Sequence, residues 1–156
     1  MAFLLAQVGA HAGAKFAERL AELKLTPAHA GILRTLAANP GMSQHALGRT
    51  LGILPSRLVV VLDEIEERGL VERRDNPDDR RVYELHLTEK GKHSLEAVGR
   101  VARAHQEALC AALDDHERET LAALLSRIAE DQGLTPGVHP GFRQMGKAGS
   151  ARTPRK

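Results

Sequence analysis

The stretch from Met42 to Thr88, MSQHALGRTLGILPSRLVVVLDEIEERGLVERRDNPDDRRVYELHLT, leaves the chain few choices of fold. Ser43 is placed to cap a helix, because its hydroxyl can accept from the unsatisfied N–H groups of a first turn. Ala46, Leu47 and Leu51 form the apolar face of that helix, and Gly52 ends it. Pro55 suits the first turn of a second helix, where its missing N–H costs nothing. Leu58, Val61, Leu62 and Ile65 follow i, i+3, i+4, i+7 spacing, so one stripe of this helix is buried. Gly69 stands just past its end, the usual helix stop. Two such helices across a short glycine turn make a helix-turn-helix, which presents its second helix to a DNA major groove. The residues expected on that face are Ser43 and Gln44 from the first helix, and Pro55, Ser56, Arg57, Val59 and Val60 from the second.

A hairpin follows at once. Leu70 to Arg74 reads as a strand and Arg81 to Leu87 as its return, with Tyr83, Leu85 and Leu87 on one face at period two. Between them Asp75-Asn76-Pro77-Asp78-Asp79 supplies turn residues. Four arginines, Arg73, Arg74, Arg80 and Arg81, flank the turn. A hairpin carrying guanidinium groups beside a recognition helix is a wing. Arginine suits it, because the planar charged fork fits phosphate or a narrow minor groove.

Asp79, Arg81, Leu87 and Thr88 fit a D-x-R-x(5)-L-T wing signature. With IEERGLVERR before it and TEKG near its end, the chain resembles the MarR family of winged-helix regulators over nearly all of residues 1–131. The resemblance implies a homodimer that binds a pseudo-palindromic operator in double-stranded DNA, often releasing it when a small molecule binds. It also implies that Asp79 orients Arg81. There are departures. Leu54 stands before Pro55 where such proteins usually have a small polar cap, and Val59 and Val60 stand where polar groups are more usual. Valine cannot hydrogen-bond a base edge but can pack on a thymine methyl. The other reading places one of the valines in the core.

Around this lobe, about residues 27–88, helical periods continue. Residues 2–23 read as a helix without one dominant face, and Thr26-Pro27 starts another with His29, Ile32, Leu33 and Leu36 as its buried stripe. Thr88 caps a long helix expected to run to about Leu113. Asp114 and Glu117 open a last helix with a clean stripe of Leu121, Leu124, Leu125 and Ile128. The fold class is therefore mainly α with a small β-hairpin wing, a winged helix-turn-helix flanked by N- and C-terminal helices. The flanking helices, about 2–23 and 89–131, carry more apolar surface than an antiparallel pair can cover, and a second copy of the chain is the expected cover. The domain then spans 1–132, and the Pro/Gly-rich tail from 133 to 156 is expected to be mostly disordered.

Charge is distributed unevenly. Five of the 22 basic residues and none of the 20 acidic ones lie beyond residue 132, leaving 17 cations against 20 acids in the body. DNA affinity must therefore come from a local patch. One cysteine excludes an intramolecular disulfide, no apolar run is long enough to cross a bilayer, and the N-terminus lacks a basic segment before its apolar residues. A cytoplasmic protein with no membrane partner is the simplest expectation. The eight histidines are scattered without metal-ligand spacing, and no phosphate loop or nucleophile motif is visible, so no metal, cofactor or catalytic residue is expected. His11, Lys15 and His29 are candidates for lining an effector crevice, by analogy with the family. For the two histidines, a hydrogen-bonded core role is the preferred reading. Cys110 is expected to be a buried, inert thiol. The function expected is a homodimeric, sequence-specific repressor released by a small-molecule effector. The alternatives are control through cysteine oxidation, no effector at all, or a winged helix used only for protein contact.

Overall fold

The computed structural model describes residues 1–77, 82–139 and 142. The elements run α1 (Ala2–Glu22), α2 (Pro27–Ala38), α3 (Gln44–Leu51), α4 (Pro55–Glu67), β1 (Val71–Asp75), β2 (Tyr83–Leu87), α5 (Glu89–Leu109) and α6 (Asp115–Asp131). The two strands pair antiparallel, with Val71 opposite Leu87, Arg73 opposite Leu85 and Asp75 opposite Tyr83. A short extension adds to the hairpin: Leu85 N–H donates to Met42 O and Gly41 N–H to Leu85 O, at 3.1 and 3.0 Å. β1 keeps the expected length but starts one residue later than Leu70, and β2 ends at Leu87 as the alternation predicts. Leu70 instead belongs to the turn before β1, where its N–H closes α4 on Ile65 O.

α2 lies at the centre. Ile32, Leu33 and Leu36 are buried against Leu20 of α1, Leu47 and Leu51 of α3, Leu58, Leu62 and Ile65 of α4, and Leu85 of β2. The predicted helix starts hold. Thr26 Oγ1 accepts from His29 N–H, Ser43 Oγ from Ala46 N–H and Thr88 Oγ1 from Gly91 N–H. Leu54 opens α4 with no side-chain cap. α5 ends four residues before the expected Leu113. Cys110 caps it, and the chain must turn so that Asp114 can take the extended conformation its capping box with Glu117 requires. Arg118 Nε donates to the freed Cys110 carbonyl at 3.1 Å. Cys110 itself is half-buried rather than buried.

Gly69 and Gly91 explain the TEKG run. Gly69 takes φ +68°, the left-handed stop of α4. Thr88 Oγ1 donates to Gly69 O at 2.6 Å and Thr88 N–H to Leu70 O at 3.2 Å. A Cβ on Gly91 would lie 2.0 Å from Leu70 O, so only glycine lets α5 start against this turn. Lys90 Nζ adds a bond to Arg68 O at 2.7 Å.

α6 buries no residue within the chain, and Leu121, Leu124, Leu125 and Ile128 all stand exposed on it. Phe3, Leu4, Leu5 and Val8 of α1 are exposed too. Beyond α6, Val138 and Phe142 pack on the core, Phe142 being 6 % exposed. These two residues of the tail expected to be mostly disordered set their apolar side chains in a groove beside α2. Among the described residues, no single helix is long and apolar enough to cross a membrane.

Gly91→Ala should destabilise the protein by roughly 1–3 kcal/mol in urea unfolding, since the added methyl meets backbone that cannot yield cheaply. Gly99→Ala is the control. Its methyl would meet only the flexible Arg103 guanidinium at 3.6 Å, and it should be neutral or stabilise by up to about 1 kcal/mol.

Candidate nucleic-acid interface

α3 and α4 meet at a tight corner. Gly52 turns the chain at φ +65°, and Ile53 N–H donates to Gly48 O at 3.1 Å. Gly48 lets the helices approach closely, since a Cβ there would sit 3.2 Å from Leu58 Cδ2. Leu58, Val61, Leu62 and Ile65 anchor α4 in the core. That packing turns Ser56, Arg57, Val59 and Val60 to solvent. Both valines are exposed, Val59 at 40 % and Val60 at 56 %, so the reading that places one of them in the core does not hold. Gln44, Leu54 and Pro55 line a hollow of about 350 Å³ at the corner together with His45 and Arg49. Sequence reasoning missed those last two. Their signal was the i, i+4 spacing, which puts both on one exposed edge of α3.

The wing arginines do not act alike. Arg73 turns toward α4, where its guanidinium meets Asp63 at 2.7 Å and also Glu66. Two carboxylates neutralise it and its side chain is only 23 % exposed, so Arg73 braces the hairpin against α4 rather than standing free for phosphate. Arg74, one residue on, points the other way and pairs with Glu72. It lines a hollow of about 560 Å³ with Leu36, Pro40, His86 and Lys92, on the side of the hairpin away from the exposed face of α4. Pleat alternation makes this split unavoidable for neighbouring residues. The turn is held by Asn76, whose Nδ2 donates to Glu84 Oε1 at 3.1 Å. Asp79, Arg80 and Arg81 lie outside the described residues, and with them the expected orientation of Arg81 by Asp79.

The effector-crevice candidates separate as well. His11 and Lys15 are exposed on α1, and Lys15 pairs with Glu18 at 2.7 Å. His29 is 2 % exposed and both ring nitrogens are engaged. Nδ1 accepts from Thr26 N–H at 3.2 Å, completing a capping box, so the ring proton sits on Nε2 and faces Glu64 Oε2 at 3.4 Å. Burial pushes the His29 pKa below the ordinary imidazole value, and Glu64 offsets this only in part. His29 is thus a core histidine joining α2 to α4, and no nitrogen remains for a ligand. The open crevice lies elsewhere. It encloses about 480 Å³ between α1, α2, α5 and the chain beyond α6, lined by Phe16, Gly31, Arg34, Leu95, Val98 and Phe142 among others. None of His11, Lys15 and His29 borders it. The signal that could have found it was Gly31 inside α2 and Gly99 inside α5, since glycine within a helix often marks a close approach. No group of three His, Cys, Asp or Glu side chains among the described residues gathers as a metal site.

The sequence is 38 % identical over 112 residues to a protein of Thauera aromatica named as a transcriptional regulatory protein for the hcr operon, covering 72 % of this chain and 68 % of that one. The family model for the MarR family matches residues 23–82. The chain belongs to the MarR family of winged helix-turn-helix transcriptional regulators. Solved structures of MarR-family proteins share its fold. The repressor CouR bound to a 23-mer DNA duplex superposes with a TM-score of 0.74 at 35 % identity, covering 83 % of this chain and 92 % of CouR. CouR bound to p-coumaroyl-CoA gives 0.69 at 33 % identity, covering 83 % and 91 %. Apo MarR of E. coli gives 0.74 at 25 % identity, covering 82 % and 95 %.

For this MarR-family chain the His29 geometry predicts a pH effect. The unfolded imidazole titrates at about 6.5, and the folded one below it. Stability is whole above about 6.5 and falls as the pH drops from there toward the folded-state value, because the unfolded chain then binds the extra proton. His29→Gln keeps a side chain suited to the capping box and removes the titration. Its urea midpoint should fall less than that of the wild type between pH 7.5 and 5.5.

Proposed function

We propose that the protein is a homodimeric repressor that grips a pseudo-palindromic site in double-stranded DNA and lets go when a small aromatic effector enters the crevice between α1, α2 and α5. The observation that carries this reading is the orientation of α4. Its apolar stripe anchors it in the core while Ser56, Arg57, Val59 and Val60 face solvent. CouR, which has the same fold, is bound to a DNA duplex in one structure and to p-coumaroyl-CoA in another.

In this reading α4 enters the major groove, with Ser43, Gln44, Pro55 and Ser56 positioning it on the backbone. Arg57 is the one long donor on the exposed face and is assigned to a guanine, while Val59 and Val60 pack on thymine methyls. With Arg73 committed to Asp63 and Glu66, and Arg74 turned aside, the charge of the wing falls to Arg80 and Arg81. The exposed apolar residues of α1 and α6 support a second copy as their cover. A twofold dimer then sets its recognition helices about 34–36 Å apart, one DNA turn. The crevice supports an aromatic effector through its apolar lining. Arg34, which has no ion-pair partner among the described residues, lies at its edge for an anionic group.

Selection of bound sequences from a random DNA pool, followed by gel shifts, tests the reading. Arg57→Ala should weaken binding by roughly 1–3 kcal/mol and erase the preference for one guanine. Uracil in place of thymine should cost a smaller amount opposite the valines. Leu125→Asp on α6 should give a monomer in sedimentation that no longer binds the full site. A dimer that still bound DNA with this change would remove α6 from the interface.

A further inference from the structure

The chain beyond α6 does not simply pass the crevice. It turns at Gly137, with φ +70°, over the Arg34 guanidinium: a Cβ there would lie 2.9 Å from Arg34 Nη2. Val138 packs against the core, and Phe142 reaches the crevice with its ring set over Gly31. The fit is close. A Cβ on Gly31 would lie 2.7 Å from Phe142 Cζ and 2.8 Å from Cε2, so the ring occupies the space a side chain on α2 would take. His139 lies beside it, ring centroids 6.0 Å apart. Among the described residues Phe142 is the one core residue from beyond Val138, and its N–H donates to His139 O at 3.0 Å. An aromatic ring that lies outside the eight named elements, at the wall of an open crevice, is a replaceable occupant.

We propose that Phe142 is a built-in competitor for the effector crevice. Its ring holds the slot over Gly31, and an aromatic effector enters by displacing it, so Phe142 sets the concentration at which the regulator responds. This rests on the reading of the crevice as the effector site. A site available for only a fraction of the time binds with an affinity reduced by that fraction. A ring seated nine-tenths of the time therefore weakens an incoming ligand about tenfold. The competition also gives Gly31 a reason beyond packing, since any larger residue there would evict the ring and narrow the slot.

The chain contains no tryptophan, so Phe142→Trp gives a single reporter at the seat in the full-length protein. Its emission should be blue-shifted and shielded from acrylamide. It should move to the red when Gly31→Ala is added, with helical circular dichroism unchanged. A solvent-exposed emission in the single variant, together with a wild-type urea midpoint unmoved by Phe142→Ala, would overturn the seat. Binding is read with 1-anilinonaphthalene-8-sulfonate, an aromatic anion that fluoresces in apolar sites. Phe142→Ala should bind it about tenfold more tightly than the wild type. Gly31→Leu in that background, which refills the slot from α2, should abolish the gain. Equal affinities for wild type and Phe142→Ala, both lost with Gly31→Leu, would leave the crevice as a ligand site and overturn the competitor. A probe that binds neither protein, with a shielded tryptophan, would overturn the effector reading of the crevice and the competition with it.

Discussion

The protein is organised around one backbone junction. Gly69 and Leu70 close α4, lead into the first strand of the hairpin and receive the first turn of α5, all within two residues. Thr88 serves both sides of this junction, capping α5 through Oγ1 while donating to Gly69 O and Leu70 O. Gly91 supplies the missing volume that allows it. Because hydrogen bonds and close packing meet at the same atoms, the direction of α5 is set relative to α4 and the hairpin with little slack. The junction thus links the exposed face of α4 to the helix that leads to the apolar surface of α6.

Three further ties hold α4. Arg73 links it to β1 through Asp63 and Glu66. His29 faces Glu64 from α2. Arg68 Nη1 donates to Lys24 O at 2.7 Å, across 44 residues of chain. Lys24 sits at φ +56°, a conformation unusual for a side-chain-bearing residue, in the turn that ends α1. The Arg73 ion pairs, partly open to solvent, contribute about 0–1 kcal/mol each. Their weight is geometric. They leave α4 few ways to roll about its axis, and they spend charge on the scaffold that a sequence reading assigns to DNA. Arg73 shows the trade most plainly, an arginine in the wing whose partners belong to the helix beside it.

The crevice and the exposed stripes present opposite cases of unfinished burial. On α1 and α6 the apolar residues stand open over whole helical faces, more surface than any short segment could cover. Between α1, α2 and α5 the opening is local, about 480 Å³, and Gly137, His139 and Phe142 from beyond α6 help to line it. The first asks for a partner of comparable size and the second for a small molecule, and the proposed dimer and effector answer those two demands.

Much of the architecture was legible before any coordinates. Helix starts at Thr26, Ser43, Thr88 and Asp114, stops at Gly52 and Gly69, the buried stripe of α4 and the hairpin all follow from signals that act within one or two turns of chain. Caps, prolines, glycines and apolar periods work over such distances because backbone hydrogen bonding is local. The exposed face of α4 was legible for the same reason, since the buried stripe of a helix also defines its other side. Only the tertiary structure decided what each charged or aromatic group meets. Nothing in the spacing of Arg73, Arg74, Asp63 and Glu66 says which arginine turns toward α4. His29 reads as a core histidine whose partners are unnamed until Thr26 and Glu64 are seen on its two nitrogens, and Phe142 reads as part of a Pro/Gly-rich tail until Gly31 is found beneath it. Those pairings depend on which side chains the packed helices bring within a few ångströms of each other, and a chain met one residue at a time carries no record of that distance.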